Sequence, residues 1–298
     1  NGNSGVGFFN NKGAFIQKIK SAFTSAEFKK NPLLARVVAG TKDAVQSYNQ
    51  IVREAIFGKD AAPFVKGDLL MGYATYGGIG QDGNTTIANG LDYIIESVSE
   101  VKQATHLGIS FDVQEVKIKN VINGSTRTVD IVLPTNSAKT FNEFAVEVSK
   151  LIKAAETNKS LWGKVRELKE DIVLMQDIPN TIYKGRTALN KTIDYGYSHT
   201  IHKSQGGTYT YSFVDGNSIN QFPNKKDRER LRYVGLTRAE SGAFVLTSDP
   251  ITLGSSATTT APVVAPTAPA ATPAATTPTT PAPVATPPVT APTPAAAT

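Results

Sequence analysis

Apolar positions recur along the chain at two different periods, and the changes of period divide it. The opening "VGFFNNKGAFIQKIKSAFTSAEFKK" gives a short apolar run, then sets Phe15, Ile16, Ile19 and Phe23 at helical spacing with lysines between them, which predicts an amphipathic surface helix. In "LLARVVAGTKDAVQSYNQIVREAIFG" the β-branched run Leu33–Val38 stops at Gly40. Val45, Tyr48, Ile51, Val52 and Ile56 then follow a helical period as far as Gly58. Strand, glycine turn and helix are the repeating unit of an α/β layer.

After Pro63 the period shortens. "FVKGDLLMGYATYG", "LDYIIESVSEVKQA", "GISFDVQEVKIKNVING" and "STRTVDIVLP" are alternating or β-branched runs broken by glycine, Asn-Gly or proline. They predict a small antiparallel, barrel-like β domain over about residues 63–135, with its clearest hairpin signal at Asn123–Gly124. Helical period returns in "TFNEFAVEVSKLIKAAETNKSLWGKVRELKEDI", where Phe141, Phe144, Val148, Leu151 and Ile152 form a stripe. Further on, a helix is expected from about Asp227 to Leu236, ahead of a strand in "GAFVLTS". A β insert between α/β segments means that the chain leaves one domain and later rejoins it. The expected layout is a first part of an α/β domain at 1–62, an inserted β domain at 63–140, a helical return and the remainder of the first domain at 141–253, and a tail at 254–298.

Composition changes this picture at the C-terminal end. Residues 254–298 hold only Ala, Thr, Pro, Val, Ser and Gly, without charge or aromatic rings, so they cannot bury enough apolar surface to offset the entropy of ordering. A disordered, polyproline-rich tail is expected there. With 298 residues, 40% of them hydrophobic, the remainder is long enough for one or two cores. The net charge of +6 therefore belongs to the folded part and suits a polyanion-binding surface.

The absence of cysteine excludes a disulfide framework and any thiolate zinc site. Only His106, His199 and His202 are available, which argues against a histidine-based metal centre. No stretch approaches the ~18 apolar residues of a membrane span, and no signal peptide opens the chain, so a cytoplasmic protein with no membrane partner is expected. The first residue is Asn rather than Met, which fits a trimmed or fragmentary N-terminus.

Two stretches concentrate chemistry. Within "HTIHKSQGGTYTYSFVD" (199–215), the loop 199–208 supplies Thr200, His202, Lys203, Ser204 and Gln205 in close succession: hydroxyl, imidazole, ammonium and amide groups suited to an anionic backbone, with no carboxylate among them to repel one. Gly206 and Gly207 permit close backbone approach. On spacing alone this is either a ligand loop or a solvated polar loop. "RYVGLTRA" sets Arg238 between an apolar helix and a strand, either to meet a phosphoryl group with its planar fork or to form a surface ion pair.

Taken together and in this order, "YSHTIHKSQGGTYTYSFVD" resembles motif V and "RLRYVGLTRAESGAFVLT" resembles motif VI of superfamily 1 DNA helicases, most like the Dda and RecD branch. "RVVAGTKDAVQSYNQIVREAIFG" is similar to the motif IV strand and helix, and "PFVKGDLLM" to the start of the small SH3-like β domain inserted in the second motor domain. The resemblance implies an α/β fold: a RecA-like parallel sheet (helicase domain 2A) interrupted by an SH3-like β-barrel insert. It implies a C-terminal motor half that couples ATP hydrolysis to single-stranded DNA translocation and duplex unwinding, in replication or repair and with a phage source. Thr200, His202, Lys203 and Ser204 would then lie on the single-stranded DNA track. Gln205, Gly206 and Gly207 would couple that track to the nucleotide, and Thr208 stands where many relatives place a ribose-contacting glutamate. Arg238 would be the arginine finger, with Tyr233 and Thr237 positioning its helix, and Arg36, Asn49 and Arg53 are motif IV candidates for a nucleotide contact.

No GxxxxGK[ST] loop and no Asp-Glu pair for Mg²⁺ is present, since "FGKDAA" and "WGKVRE" lack the required frame. ATP with Mg²⁺ is thus expected to be held mainly by an N-terminal RecA-like half outside this sequence, and the chain alone is not expected to hydrolyse ATP. The alternative is a catalytically inactive nucleic-acid-binding or structural module, for example a viral one, derived from a helicase half. A sugar- or protein-binding β module on a mucin-like stalk would use the sequons at Asn84 and Asn123 but leaves the 199–238 constellation unexplained.

Overall fold

The computed structural model describes residues 5–77 and 86–248. The sequon at Asn84 and the 254–298 tail lie outside the described residues. Residues 1–250 cluster as one compact unit.

Its first layer is a parallel sheet of five strands in the order β1 (Gly5–Phe9), β12 (Ala239–Leu246), β11 (Tyr209–Asp215), β2 (Ala35–Ala39), β10 (Ser198–Thr200). Every residue of β2 is buried, as a strand covered on both faces requires. Alternation sends neighbours to opposite sides: Val37 and Phe213 meet one set of helices, Val38 and Val214 another.

On the first side lie α1 (Lys12–Phe23) and α3 (Lys42–Phe57), which bury Phe15, Ile19, Phe23, Val45, Tyr48 and Val52. The helix at Phe15–Phe23 is therefore a covering layer of the main core as well as an amphipathic surface helix. Thr41 caps α3 by accepting from the Ala44 amide at 3.3 Å, and Gly58 ends it at φ +89°, a backbone state costly for any residue with a Cβ. On the second side α6 (Gly216–Ile219) and α7 (Lys225–Leu236) place Ile219 and Leu231 against Val38, Val214 and Val245.

The second sheet has the order β6 (Thr126–Val132), β5 (Ile109–Asn120), β4 (Asp92–His106), β3 (Leu69–Gly72), β9 (Ile193–Tyr195), with every pairing antiparallel. Its end strands β6 and β9 do not pair with each other. Register shifts at Ile95/Ser97 and Val98/Val101 bend the long β4. The Asn123–Gly124 signal does mark a hairpin, but as a five-residue connection, 121–125, in which Gly124 takes φ +71°. A tighter turn that the pattern did not single out joins β4 to β5 at Leu107–Gly108, where φ is positive at both residues.

The topology moves one expected boundary. β9 falls in the segment assigned to the return, yet it completes the second sheet. α4 (Ala138–Thr157) and α5 (Trp162–Asp171) likewise pack Phe141, Phe144, Val148 and Leu168 on Phe111, Val113 and Val132 of that sheet. The segment 141–195 thus adheres to the inserted layer, and the chain re-enters the parallel sheet only at β10. Leu69 and Leu70 join the two layers, since alternation puts one in each core. Among the described residues no helix is long and apolar enough to cross a membrane.

Candidate nucleic-acid and nucleotide interface

Strand register places the two chemistry-bearing stretches at opposite edges of the parallel sheet. Thr200 is level with Ala39, which is level with Asp215, whereas Ala239, directly after Arg238, is level with Tyr209. Tyr209 to Asp215 spans about 20 Å of extended chain. Residues 201–208 must cross this distance and pass over β2 to connect β10 to β11. Ile201, fully buried against Val38, fastens the crossing to the sheet.

At the carboxyl edge, Thr200, His202 and Lys203 line a cleft of roughly 400 Å³ shared with Lys42, Tyr73 and Lys191. His202 is exposed, and Thr200 and Lys203 are half-buried. The Lys203 ammonium donates to Asn89 Oδ1 and lies 4.9 Å from the Tyr73 ring centroid; Lys191 Nζ lies over the same ring at 4.0 Å. Burial, then the like charge of Lys191, pushes the Lys203 pKa down. Lys191 is held by Asp194 at 2.5 Å and Lys42 by Asp177 at 2.8 Å. Against the upward push of burial, Lys42 and Lys191 hold the Asp177 carboxyl below its usual range. Among the described residues Lys203 makes no ion pair, and its side-chain hydrogen bond goes to the neutral Asn89. Sequence reasoning missed Lys42, Tyr73, Asn89 and Lys191; no motif marks them, and only the tertiary fold brings them to the cleft.

Ser204 departs from the expected track. It is fully buried, and its hydroxyl donates to Ile201 O at 2.6 Å, closing the turn. Gln205 and Thr208 are exposed. Gly206 adopts φ +91° with open space where a Cβ would stand, whereas a Cβ on Gly207 would meet the buried Tyr209 hydroxyl at 2.5 Å, so the close approach is that of Gly207 to Tyr209.

At the amino edge the half-buried Arg238 guanidinium donates to Val234 O at 3.2 Å, Gly207 O at 3.4 Å and Thr237 Oγ1 at 3.3 Å. All three acceptors are neutral and the bonds are long. Tyr209 N donates to Arg238 O at 2.8 Å, so the end of the crossing is tied to Arg238 through both backbone and side chain. Thr237 caps α7, and its hydroxyl donates to Val234 O at 3.1 Å; Tyr233 is exposed.

Beneath the crossing runs a buried polar seam. Arg36, fully buried, pairs with Asp92 at 2.5 Å, donates to Pro32 O and Ala35 O, and lies over the Tyr209 ring at 5.1 Å. Burial pushes the Asp92 carboxyl up against the pull of Arg36. Tyr209 Oη is 3.3 Å from His199 Nε2, and burial drives the His199 pKa down to about 3. Arg53 pairs with Asp68 at 2.8 Å and stacks 4.1 Å from the Tyr195 ring centroid; Asp68 also accepts from Tyr197 Oη at 2.7 Å, and burial raises its pKa to about 6. Asn49 donates to Tyr195 O and accepts from Ser198 N. The three motif IV candidates, Arg36, Asn49 and Arg53, are thus engaged in joining the two sheets.

Among the described residues no group of three or more His, Asp or Glu side chains converges as a metal site.

Residues 195–246 match the UvrD-like helicase C-terminal domain. No curated protein matches the chain. Solved structures that resemble it include the Pif1 helicase of Candida albicans, with 14% identity and a TM-score of 0.34, covering 81% of this chain and 55% of that one. Another is the Bacteroides Pif1 helicase in complex with ADP-AlF3 and single-stranded DNA, with 11% identity, a TM-score of 0.36, and coverage of 76% and 44%. The chain spans about half the length of these helicases. Over residues 195–246 it is similar to the UvrD-like helicase C-terminal domain, and that match contains the motif V-like stretch and the motif VI-like stretch as far as Leu246.

Proposed function

We propose that this chain is the C-terminal motor half of an ATP-dependent DNA helicase, its antiparallel sheet being the SH3-like insert of that half. The carboxyl-edge cleft at Thr200, His202 and Lys203 grips the backbone of single-stranded DNA. Arg238 at the amino edge reaches the γ-phosphate of an ATP whose Mg²⁺ and triphosphate are held mainly by the N-terminal half. The setting is the cytoplasm of a bacterial or phage-infected cell.

One observation carries this reading: a single crossing, 201–208, starts in the cationic cleft and ends hydrogen-bonded to the guanidinium. A shift of Arg238 onto a phosphate breaks its 3.4 Å bond to Gly207 and releases one end of the segment that holds Lys203. Because Arg238 is bonded only to neutral acceptors, it has no carboxylate to surrender before meeting that phosphate. Nucleotide state and DNA grip are thereby linked mechanically. Gln205 and Thr208, exposed along the crossing, are placed to follow the same movement, and Tyr233 and Thr237 hold the helix end from which Arg238 projects.

The test uses the full-length protein that contains both halves. Arg238→Ala is expected to lower DNA-stimulated ATP turnover by about 10³-fold or more, as for other arginine fingers, with DNA affinity in the absence of nucleotide unchanged. Unchanged turnover overturns the assignment.

A further inference from the structure

Upstream of the crossing, α5 and a hairpin of two-residue strands form a second cleft, of roughly 450 Å³. Its hairpin is β7 (Ile182–Tyr183) and β8 (Arg186–Thr187), closed by Lys184 and Gly185, both at positive φ, which is the two-residue turn that matches strand twist. Trp162, the only tryptophan in the chain, opens α5 and meets Tyr183 with ring centroids 4.6 Å apart. Both rings rest on the core beneath α4 and α5 and are half-buried, each leaving part of its surface to solvent.

Lys169, Lys184 and Arg186 line the same cleft, and all three are exposed. No carboxylate lines it, and none of these cations makes an ion pair among the described residues. Lys184 Nζ lies 5.3 Å from the Tyr183 ring centroid. Unpaired cations thus stand beside the two packed rings. Aromatic faces flanked by unpaired cations form the arrangement on which single-stranded nucleic acid docks: bases stack on the rings without regard to sequence, and phosphates meet the cations. The cleft volume suits one nucleoside with its flanking phosphates.

We infer that Trp162 and Tyr183, flanked by Lys169, Lys184 and Arg186, form a second binding site for single-stranded nucleic acid. It lies on the helical arm of the inserted layer and is separate from the crossing at 201–208. The inference does not rest on the role given to Lys203 or Arg238.

The lone tryptophan makes the site its own reporter. Titration of the whole chain with an oligo(dT) of about eight nucleotides is expected to quench Trp162 fluorescence saturably, because a stacked base quenches indole. An abasic oligomer of equal charge, and a polyglutamate peptide, should leave it nearly unchanged. Lys184→Ala with Arg186→Ala alters only exposed side chains; it should raise the midpoint at least about tenfold near 0.1 M salt and flatten its salt dependence by up to about 0.7 per cation removed. Lys203→Ala should leave the midpoint where it is, which separates this site from the proposed track. Unmoved fluorescence at saturating oligo(dT), equal quenching by the abasic oligomer or by polyglutamate, or an unchanged midpoint in the double variant overturns the inference.

Discussion

Arg36 and Arg238 are two arginines from helicase-like stretches, and the fold treats them oppositely. Arg36 is fully buried, ion-paired with Asp92 at 2.5 Å, and bonded to two backbone carbonyls. Arg238 is half-buried at a sheet edge with three long bonds to neutral acceptors. The first has exchanged water for an ion pair and two carbonyls, with its Nε left without a hydrogen-bond partner, and joins two sheets. The second keeps its charge available. A motif position does not by itself separate these roles; the partners do.

The largest effect should come from the buried member. Arg36→Ala strands the Asp92 carboxylate in the seam and should cost about 3–5 kcal/mol, measured by urea unfolding at pH 7. Arg36→Met combined with Asp92→Leu removes both charges and should recover most of that loss, since the desolvation cost of the pair disappears along with its attraction.

His199, in the same seam, gives a pH signature of the next size. Its folded pKa is lowered to about 3, so below the unfolded value of 6.5 the unfolded chain gains a proton that the folded chain does not accept until near pH 3. Stability from this residue is complete above pH 6.5 and falls by about 1.4 kcal/mol per pH unit below it. Asp68 acts in the opposite direction: its raised pKa, about 6, makes the folded state the better proton holder between pH 6 and 4, so acidification gains stability there. The difference between wild type and His199→Gln cancels the Asp68 contribution. That difference should change by the His199 slope alone, and a pH-independent difference contradicts a neutral buried imidazole.

The half-buried members should barely register in stability. Arg238→Ala and Lys203→Ala are each expected to shift unfolding free energy by no more than about 0.5 kcal/mol, checked by the same urea titrations, because neither leaves a buried charge unpaired.

The same contrast explains what the amino-acid pattern could reveal. β2, α3 and α7 announce themselves through period, caps and glycine stops, and the 199–215 and 230–247 stretches declare their chemistry in consecutive residues. β9 does not: three residues, Ile193–Tyr195, are too few to show a period, and their place beside β3 is settled by Tyr195 and Asp194 pairing with Leu70 and Met71. The turn at Leu107–Gly108 was hidden because leucine rarely takes positive φ. The seam was hidden for a different reason. Arg36 and Asp92 are 56 residues apart, and only the contact between two sheets makes them partners. Ser204 shows the converse: a polar residue in a polar run whose hydroxyl the turn itself consumes.

On the proposed reading the open cations, not the buried ones, meet the polyanion. The most direct measurement is the salt dependence of binding of a short oligo(dT) to Lys203→Ala, read by anisotropy in a Lys184→Ala, Arg186→Ala background so that the crossing alone contributes. Relative to that background, the affinity should fall and the slope of log K against log salt should flatten by about 0.7, the value for one lost single-strand phosphate contact, with unfolding free energy unchanged. Equal affinity and equal slope would contradict it.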